Sequence, residues 1–377
     1  MILSVTVGNG HNATAKAIGD MLSSKGVEVK IIDTYKCVNK IVQKAIDKGY
    51  MFSIKHMKEV YRQGYKFAES FGGESVLNHL NLINLMNIIG ASKFSEILFE
   101  FNPDVIVCTH VFAAQLINEL KKHKVIDIPT IGINTDYTIL PYWENVPFID
   151  KIVLASSLLE YRAVKRGIKK ECILSYGIPV NPKFNKSISK ETACKELGLD
   201  FLKPIVLLMG GGLGLGKYLK TIKKVCKLNL DMQLLVVCGS NKEQYAEIEK
   251  YLAKYRGNVK INLYGFVDNV DIMMSASDCI ITKPGGLTVS EALVKNLPLI
   301  LIKPIPGQEE RNTEFLLNSG VALKSSSTYD VDECVYQLLR NDVQRERMRE
   351  TMNLLIPKNA TENLCNFILN VKKDGHI

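Results

Sequence analysis

The chain has 377 residues, 46% hydrophobic and 23% charged, a globular composition that excludes a disordered chain, a collagen and a coiled-coil rod. Its length points to two domains at roughly 150 residues each, and the lack of any unbroken apolar run of about 18 residues predicts no transmembrane helix. The net charge of +9 suits an anionic partner such as nucleic acid, phosphate or a lipid surface, without choosing among them.

The chain opens on Met1-Ile2-Leu3-Ser4-Val5, without a basic n-region or small-residue cleavage site, so no signal peptide is expected. Short Val/Ile/Leu runs at 2–8, 27–33, 104–110, 130–136, 151–156 and 171–177 predict strands in the first half. Runs at 204–210, 233–239, 259–266, 279–284, 297–304 and 320–325 predict a second series. They are nearly continuous rather than alternating, as in strands buried on both faces of a parallel sheet, and helical patterns separate them. The fold class expected is α/β, with two doubly wound Rossmann-like domains. The series restarts after the Pro- and Asn-rich stretch from Gly177 to Phe184, which divides the chain into 1–177 and 178–377. A last helix, about 358–372, can pack back onto the first domain. Nine cysteines, an odd number without a C-x-x-C pair, fit a reducing compartment and give no zinc or disulfide framework.

Ligands in such sheets bind at the carboxyl ends of strands, and three glycine elements lie there. Gly8-Asn9-Gly10-His11-Asn12-Ala13 matches G-x-G-x-x-A, with Asp33 closing the next strand, so a nicotinamide or flavin enzyme is one alternative. His11 opposes it by crowding the backbone that a pyrophosphate must approach. The second element runs from Gly210 to Lys217 and includes Gly211, Gly212 and Gly214. Tyr218 stands where a P-loop places the Mg²⁺-binding Ser or Thr, so an unhindered anion-binding turn at a helix start is expected instead. In the third, Lys283-Pro284-Gly285-Gly286-Leu287-Thr288 leads to Glu291. Thr288 and Glu291 have the spacing of a capping box; alternatively, Glu291 holds a ribose diol while the preceding amides face a phosphate.

The run Thr282-Lys283-Pro284-Gly285-Gly286-Leu287-Thr288-Val289-Ser290-Glu291, followed by Gln308, Glu309 and Asn312, resembles glycosyltransferase family 28. Within it, the His11 loop and Thr135-Asp136-Tyr137 with Trp143 are similar to the monogalactosyldiacylglycerol synthase and processive diacylglycerol glucosyltransferase branch. The resemblance implies a GT-B fold with its two domains facing across a cleft, a UDP-hexose donor on the second domain and a diacylglycerol-type acceptor on the first. It also implies inversion at the anomeric carbon and no required metal or other cofactor. Carried over by position, Glu291 holds the uridine ribose, Gly285 and Gly286 face the diphosphate, and Gln308 and Glu309 contact sugar hydroxyls. Phe266 marks the backbone that reads the uracil edge. The branch often has a His where this chain has Leu140, and plant relatives have an acidic residue in place of Leu213; these departures bear on the sugar and the acceptor.

An inverting transfer needs a base for the acceptor hydroxyl and dipolar or cationic help for the leaving group. His11, His110 and Asp136 lie at predicted strand ends, and His11 and Asp136 can serve as base and orienter in either order. Lys217 can supply positive charge. Asp330-Val331-Asp332 spells D-x-D but reads as a helix start, needing no metal. Lys44, Lys48, Lys55, Lys58, Arg62 and Lys66 accompany apolar positions of helical spacing between 42 and 68, a basic amphipathic segment suited to anionic lipid. The uncharged stretch 75–92 is equally a lipid groove or a buried helix. Without aromatic platforms or a known module, nucleic acid is not expected. The expectation is therefore a peripheral transferase at the cytoplasmic face of the membrane. A polyprenyl-linked or soluble acceptor, and a non-catalytic lipid-surface protein, are alternatives.

Overall fold

The computed structural model describes residues 1–6, 9–34, 91–211 and 218–374. The amphipathic segment with its six basic candidates, the stretch 75–90, and Gly8, Gly212, Gly214 and Lys217 lie outside the described residues. Two compact units divide the chain: one comprises Met1–Asn181, Ile305–Gln308 and Asn359–Ile377, the other Pro182–Pro304 and Glu309–Lys358.

The strands of the first unit are β1 (Ile2–Ser4), β2 (Ile31–Asp33), β3 (Ile106–Cys108), β4 (Thr130–Ile133), β5 (Lys151–Val153) and β6 (Ile173–Leu174). Its helices among the described residues up to 181 are α1 (Asn9–Ser24), α2 (Ala91–Phe101), α3 (Val111–Lys122) and α4 (Glu160–Lys165). All strands run parallel in the order β2-β1-β3-β4-β5-β6. β1 thus sends its chain to one side through β2 and receives β3 on the other, and this switch point positions the first candidate site.

The second unit holds β7 (Ile205–Met209), β8 (Gln233–Val237), β9 (Lys260–Tyr264), β10 (Cys279–Thr282), β11 (Leu299–Leu301) and β12 (Ala322–Lys324). Its helices are α5 (Lys190–Leu197), α6 (Tyr218–Val225), α7 (Lys242–Leu252), α8 (Val270–Ala276), α9 (Gly286–Val294), α10 (Gln308–Asn318), α11 (Val331–Arg340) and α12 (Asp342–Leu355). The sheet order β12-β11-β10-β7-β8-β9 is that of a doubly wound dinucleotide fold, with its switch between β7 and β10. Apart from Lys151 at the start of β5, the central strands are buried along their whole length, whereas the edge strands β2, β6, β9 and β12 are partly exposed. Burial on both faces explains the unbroken apolar runs. Each strand is shorter than its apolar run, because the chain leaves the sheet at the loops; 171–177 yields only Ile173–Leu174.

The last helix, α13 (Ala360–Asp374), lies in the first unit. Its Leu364, Cys365, Ile368 and Val371 join one core with Ile18 and Leu22 of α1 and with Ile2, Val107, Ile131 and Val153 of the sheet. Thr361 Oγ1 donates to the Val180 carbonyl at 2.6 Å, anchoring the start of this helix. Each fully buried aliphatic side chain contributes about 1.5–3 kcal/mol, so α13 is a structural wall of that core. Trp143 is buried against β4, where a Cβ on Gly132 would stand 2.5 Å from the indole. The Trp of the T-D-Y…W element therefore packs.

Candidate active site

Pairing of β7 with β10 sets Leu207 beside Ile280, so the loops that leave these strands emerge side by side. Gly211 has φ +77, and a Cβ there would lie 3.9 Å from Thr288 Oγ1. The second and third glycine elements are thus neighbours. After β10 the chain turns sharply, with Gly285 N–H donating to the Lys283 carbonyl at 2.8 Å. Helix α9 then starts with Gly285 as N-cap and no side-chain cap. The amides of Gly286, Leu287 and Thr288 have no acceptor among the described residues, and a Cβ on Gly285 would meet nothing within 4 Å. Three uncapped donors beside open space at the positive end of a helix suit an anion.

The capping box, one of the two readings of Thr288 and Glu291, does not form. Extended Gly285 (φ −74, ψ 135) enters the helix early, so Thr288 is already inside α9 and Glu291 lies in its second turn. Glu291 is half-buried, and among the described residues its carboxyl makes no hydrogen bond or ion pair. Burial raises its pKa to about 8; Lys183 opposes the rise and Asp271 adds to it. Lys183 bonds Asp271 at 3.1 Å and donates to the Asp268 carbonyl. This pair frames Glu291 without consuming it, leaving a neutral carboxyl able to donate one hydrogen bond and accept others.

Two further contacts hold the third element. Asn312 of α10, fully buried, donates from Nδ2 to the Pro284 carbonyl at 3.0 Å. Lys283 bonds Glu309 at 3.3 Å. The glycine turn is therefore fastened to the first turns of α10, which carry Gln308 and Glu309.

In the first unit, the switch point between β1 and β3 gathers the two candidate histidines. His11 Nδ1 lies 2.8 Å from the Thr109 carbonyl and 3.2 Å from Thr135 Oγ1. A carbonyl only accepts, so Nδ1 carries the proton and Nε2 keeps its lone pair. His110 is the N-cap of α3, and its Nδ1 accepts from Phe112 N–H at 3.0 Å, which puts the proton on Nε2. The rings meet edge to face, with centroids 4.6 Å apart. Burial lowers the pKa of both, partly offset for His11 by the Thr109 bond and reinforced for His110 by its neighbour. Two neutral imidazoles with opposite tautomers thus stand together, one offering a base and the other a donor. Asp136 is buried in the turn after β4, which Asn134 organises by donating to the carbonyls of Asp136 and Thr138 at 3.1 and 2.8 Å.

This geometry weighs against the dinucleotide alternative. The Asp33 carboxylate accepts from Thr6 Oγ1, Asn12 Nδ2 donates to Thr6 Oγ1 at 3.2 Å, and Ser4 Oγ donates to Asn12 Oδ1 at 2.6 Å. The side chains of Ser4, Thr6, Asn12 and Asp33 are thus tied to one another, and His11 bridges to Thr109. Tyr218 is a buried core residue at the start of α6, as a P-loop hydroxyl cannot be. Asp330 caps α11 in a box with Glu333 and pairs with Lys224, so D-x-D is a helix start. Phe266 follows the edge strand β9 and is 76% exposed. Thr109, Lys183 and Asp271 were not singled out from sequence, whereas Thr135, Lys283 and Asn312 stand inside the motifs quoted there.

Residues 11–180 match the monogalactosyldiacylglycerol synthase family model, and residues 195–353 match that of glycosyl transferases group 1. The processive diacylglycerol beta-glucosyltransferase of Bacillus pumilus is 30% identical over 378 residues, 98% of this chain and 94% of that protein. Its Bacillus subtilis counterpart is 30% identical over 379 residues, with the same coverage. Among solved structures, MurG of Acinetobacter baumannii superposes with a TM-score of 0.60 at 15% identity, covering 98% of each chain. That likeness shows the fold, GT-B, to which both six-stranded parallel sheets conform. The chain belongs to the family 28-type glycosyltransferases, in the family of the processive diacylglycerol beta-glucosyltransferases.

Proposed function

We propose that the protein is an inverting glycosyltransferase that moves a hexose, glucose or galactose, from a UDP-sugar to a diacylglycerol-type lipid. The acceptor class is taken from the relatives; the donor class is supported by the second unit's own chemistry. The observation that carries it is Glu291, a carboxyl without a hydrogen-bond partner among the described residues, one turn beyond three uncapped amides. On this proposal Glu291 holds the ribose diol while the amides of Gly286, Leu287 and Thr288 receive the diphosphate. Gly211 lines the same end, and Gly212, Gly214 and Lys217 follow it in the sequence. The backbone at Phe266 reads the uracil, and Gln308 and Glu309 hold sugar hydroxyls.

His11 is the base on this proposal, rather than Asp136. Its Nε2 takes the proton as the acceptor oxygen bonds to the anomeric carbon, and the bond from that carbon to the diphosphate breaks with its electron pair leaving on UDP. The Thr109 carbonyl then holds the imidazolium by Nδ1–H, and the dipole of α9 favours the departing charge. No described helix is long and apolar enough to cross a membrane, and peripheral action at the inner face is part of the proposal.

The test is release of UDP from UDP-glucose and UDP-galactose with diacylglycerol in mixed micelles. One donor should be consumed, with hexose recovered on the lipid, and Glu291→Ala should abolish turnover. Failure of UDP to raise the melting temperature, or an unmodified lipid with either donor, would refute the proposal.

A further inference from the structure

Outside the site, one surface of the first unit departs from ordinary solvent-facing composition. The segment that leaves β5 forms a 3₁₀ turn (Ser157–Leu159) continuous with α4. Its inward positions, Leu159, Ala163 and Ile168, are buried, so its hydrophobic requirement is already met. Yet Leu158, Tyr161 and Val164, spaced three apart, are 64%, 78% and 45% exposed. Exposed Lys165, Lys169 and Lys170 follow directly. Between 157 and 171 there are five Lys/Arg against two Glu. Of these, Arg166 is bound to Glu144 at 3.1 Å, and Glu160 accepts from Ser175 Oγ at 2.5 Å. The remaining surface is therefore apolar with a rim of three lysines, beside which stands the exposed Glu171.

We propose that this face, Leu158, Tyr161 and Val164 with Lys165, Lys169 and Lys170, is a docking surface for an anionic lipid bilayer. The chemistry matches on both counts. Short apolar side chains and an amphipathic tyrosine suit the headgroup–acyl boundary, and lysine stems lie along it with their ammonium groups among phosphates. A soluble protein partner would gain little from three lysines whose cations stay hydrated, whereas an anionic surface attracts each of them. Position agrees as well. Every strand of this sheet is parallel, so the turn after β5 emerges at the same end as His11 and His110. A membrane held there meets the end of the sheet that receives the acceptor. The surface belongs to a different stretch of the sequence from the basic segment between residues 36 and 66.

The inference rests on the acceptor being a membrane lipid, and its test separates the two. The full chain carrying Tyr161→Trp is bound to vesicles of phosphatidylcholine and phosphatidylglycerol, with and without brominated acyl chains. The protein has one other tryptophan, Trp143, which is buried, and wild type supplies its background. The indole at position 161 should shift to the blue on binding and be quenched by bromine beyond that background. In co-sedimentation, the triple variant Lys165→Gln, Lys169→Gln, Lys170→Gln should partition about a hundredfold less to anionic vesicles at low salt. Leu158→Ser with Tyr161→Ser should lose about tenfold even on neutral vesicles. An unquenched indole on vesicle-bound protein, or unchanged partition of the lysine variant, overturns the inference and leaves the face to a protein partner. Failure of the acceptor proposal appears elsewhere, as absent hexose transfer to diacylglycerol dispersed in detergent, where no bilayer is needed.

Discussion

Replacing Glu291 by Gln isolates the electrostatics of the ligand-free donor unit. The carboxyl's folded pKa is about 8 against an ordinary 4.5, chiefly because burial disfavours the ion. Its favourable contribution is complete below pH 4.5 and is lost as the pH rises through 8, at a slope approaching about 1.4 kcal/mol per pH unit. The ceiling is about 5 kcal/mol, and half of it would move the melting temperature of a domain this size by about 5–10 °C. Gln has the same shape and no charge, so Glu291→Gln should track wild type at pH 4.5 and exceed it increasingly up to pH 8. Above that the curves should run parallel. UDP should reverse the trend: a diol offers two donors, an ionised carboxylate accepts both, and binding to wild type should strengthen with pH and release a proton. Calorimetry in buffers of different ionisation enthalpy reads that proton directly. A pH-independent difference between the two proteins, or UDP binding equally tight in Glu291→Gln at pH 8, would refute the reasoning.

Other perturbations follow from the same geometry. His11→Ala should lower kcat by about 10²–10⁴ while leaving UDP-induced stabilisation intact. Because burial lowers the His11 pKa below 6.5, the acid limb of the wild-type profile should lie below that pH. Asn312→Leu removes the donor to the Pro284 carbonyl and should cost about 1–3 kcal/mol in chemical denaturation, with a weakened response to UDP. Leu364→Ala opens a cavity between α1 and α13 and should destabilise the first unit by about 2–5 kcal/mol, without changing UDP affinity. Gly211→Ala forces a Cβ onto φ +77 and should cost about 1 kcal/mol, with UDP binding weakened.

The strands were the most legible part of the sequence. Each of the twelve sits within its apolar run, because burial on both faces of a parallel sheet leaves little choice of residue. The glycine elements and both histidines were also legible, since strand ends in such sheets are known places. Local geometry was less so. The T-x-x-E spacing at Thr288 looks like a cap, but Pro284, Gly285 and Gly286 begin the helix earlier. His110, a candidate site residue, also serves as a helix cap, and no spacing rule reveals such double use. The partners that tune the site come from distant positions: Lys183 from the connecting segment, Asp271 from α8, and Thr109 through its backbone carbonyl. Only the folded chain brings these together. The exposed face at Leu158, Tyr161 and Val164 was invisible because its apolar residues look like any amphipathic helix until burial shows that the inward side is already full.

The helix α13 closes the core that α1 and β1 begin, with Cys365 Sγ donating to the Ile18 carbonyl at 3.8 Å. During synthesis the ribosome therefore releases the opening strands long before their final covering exists. The intervening unit can mature first, as a self-contained insert, while its host waits with Ile18 and Leu22 uncovered. A gene fragment encoding the first 180 residues would lack that covering altogether, and should yield a sticky, chaperone-dependent product even though its sheet is whole.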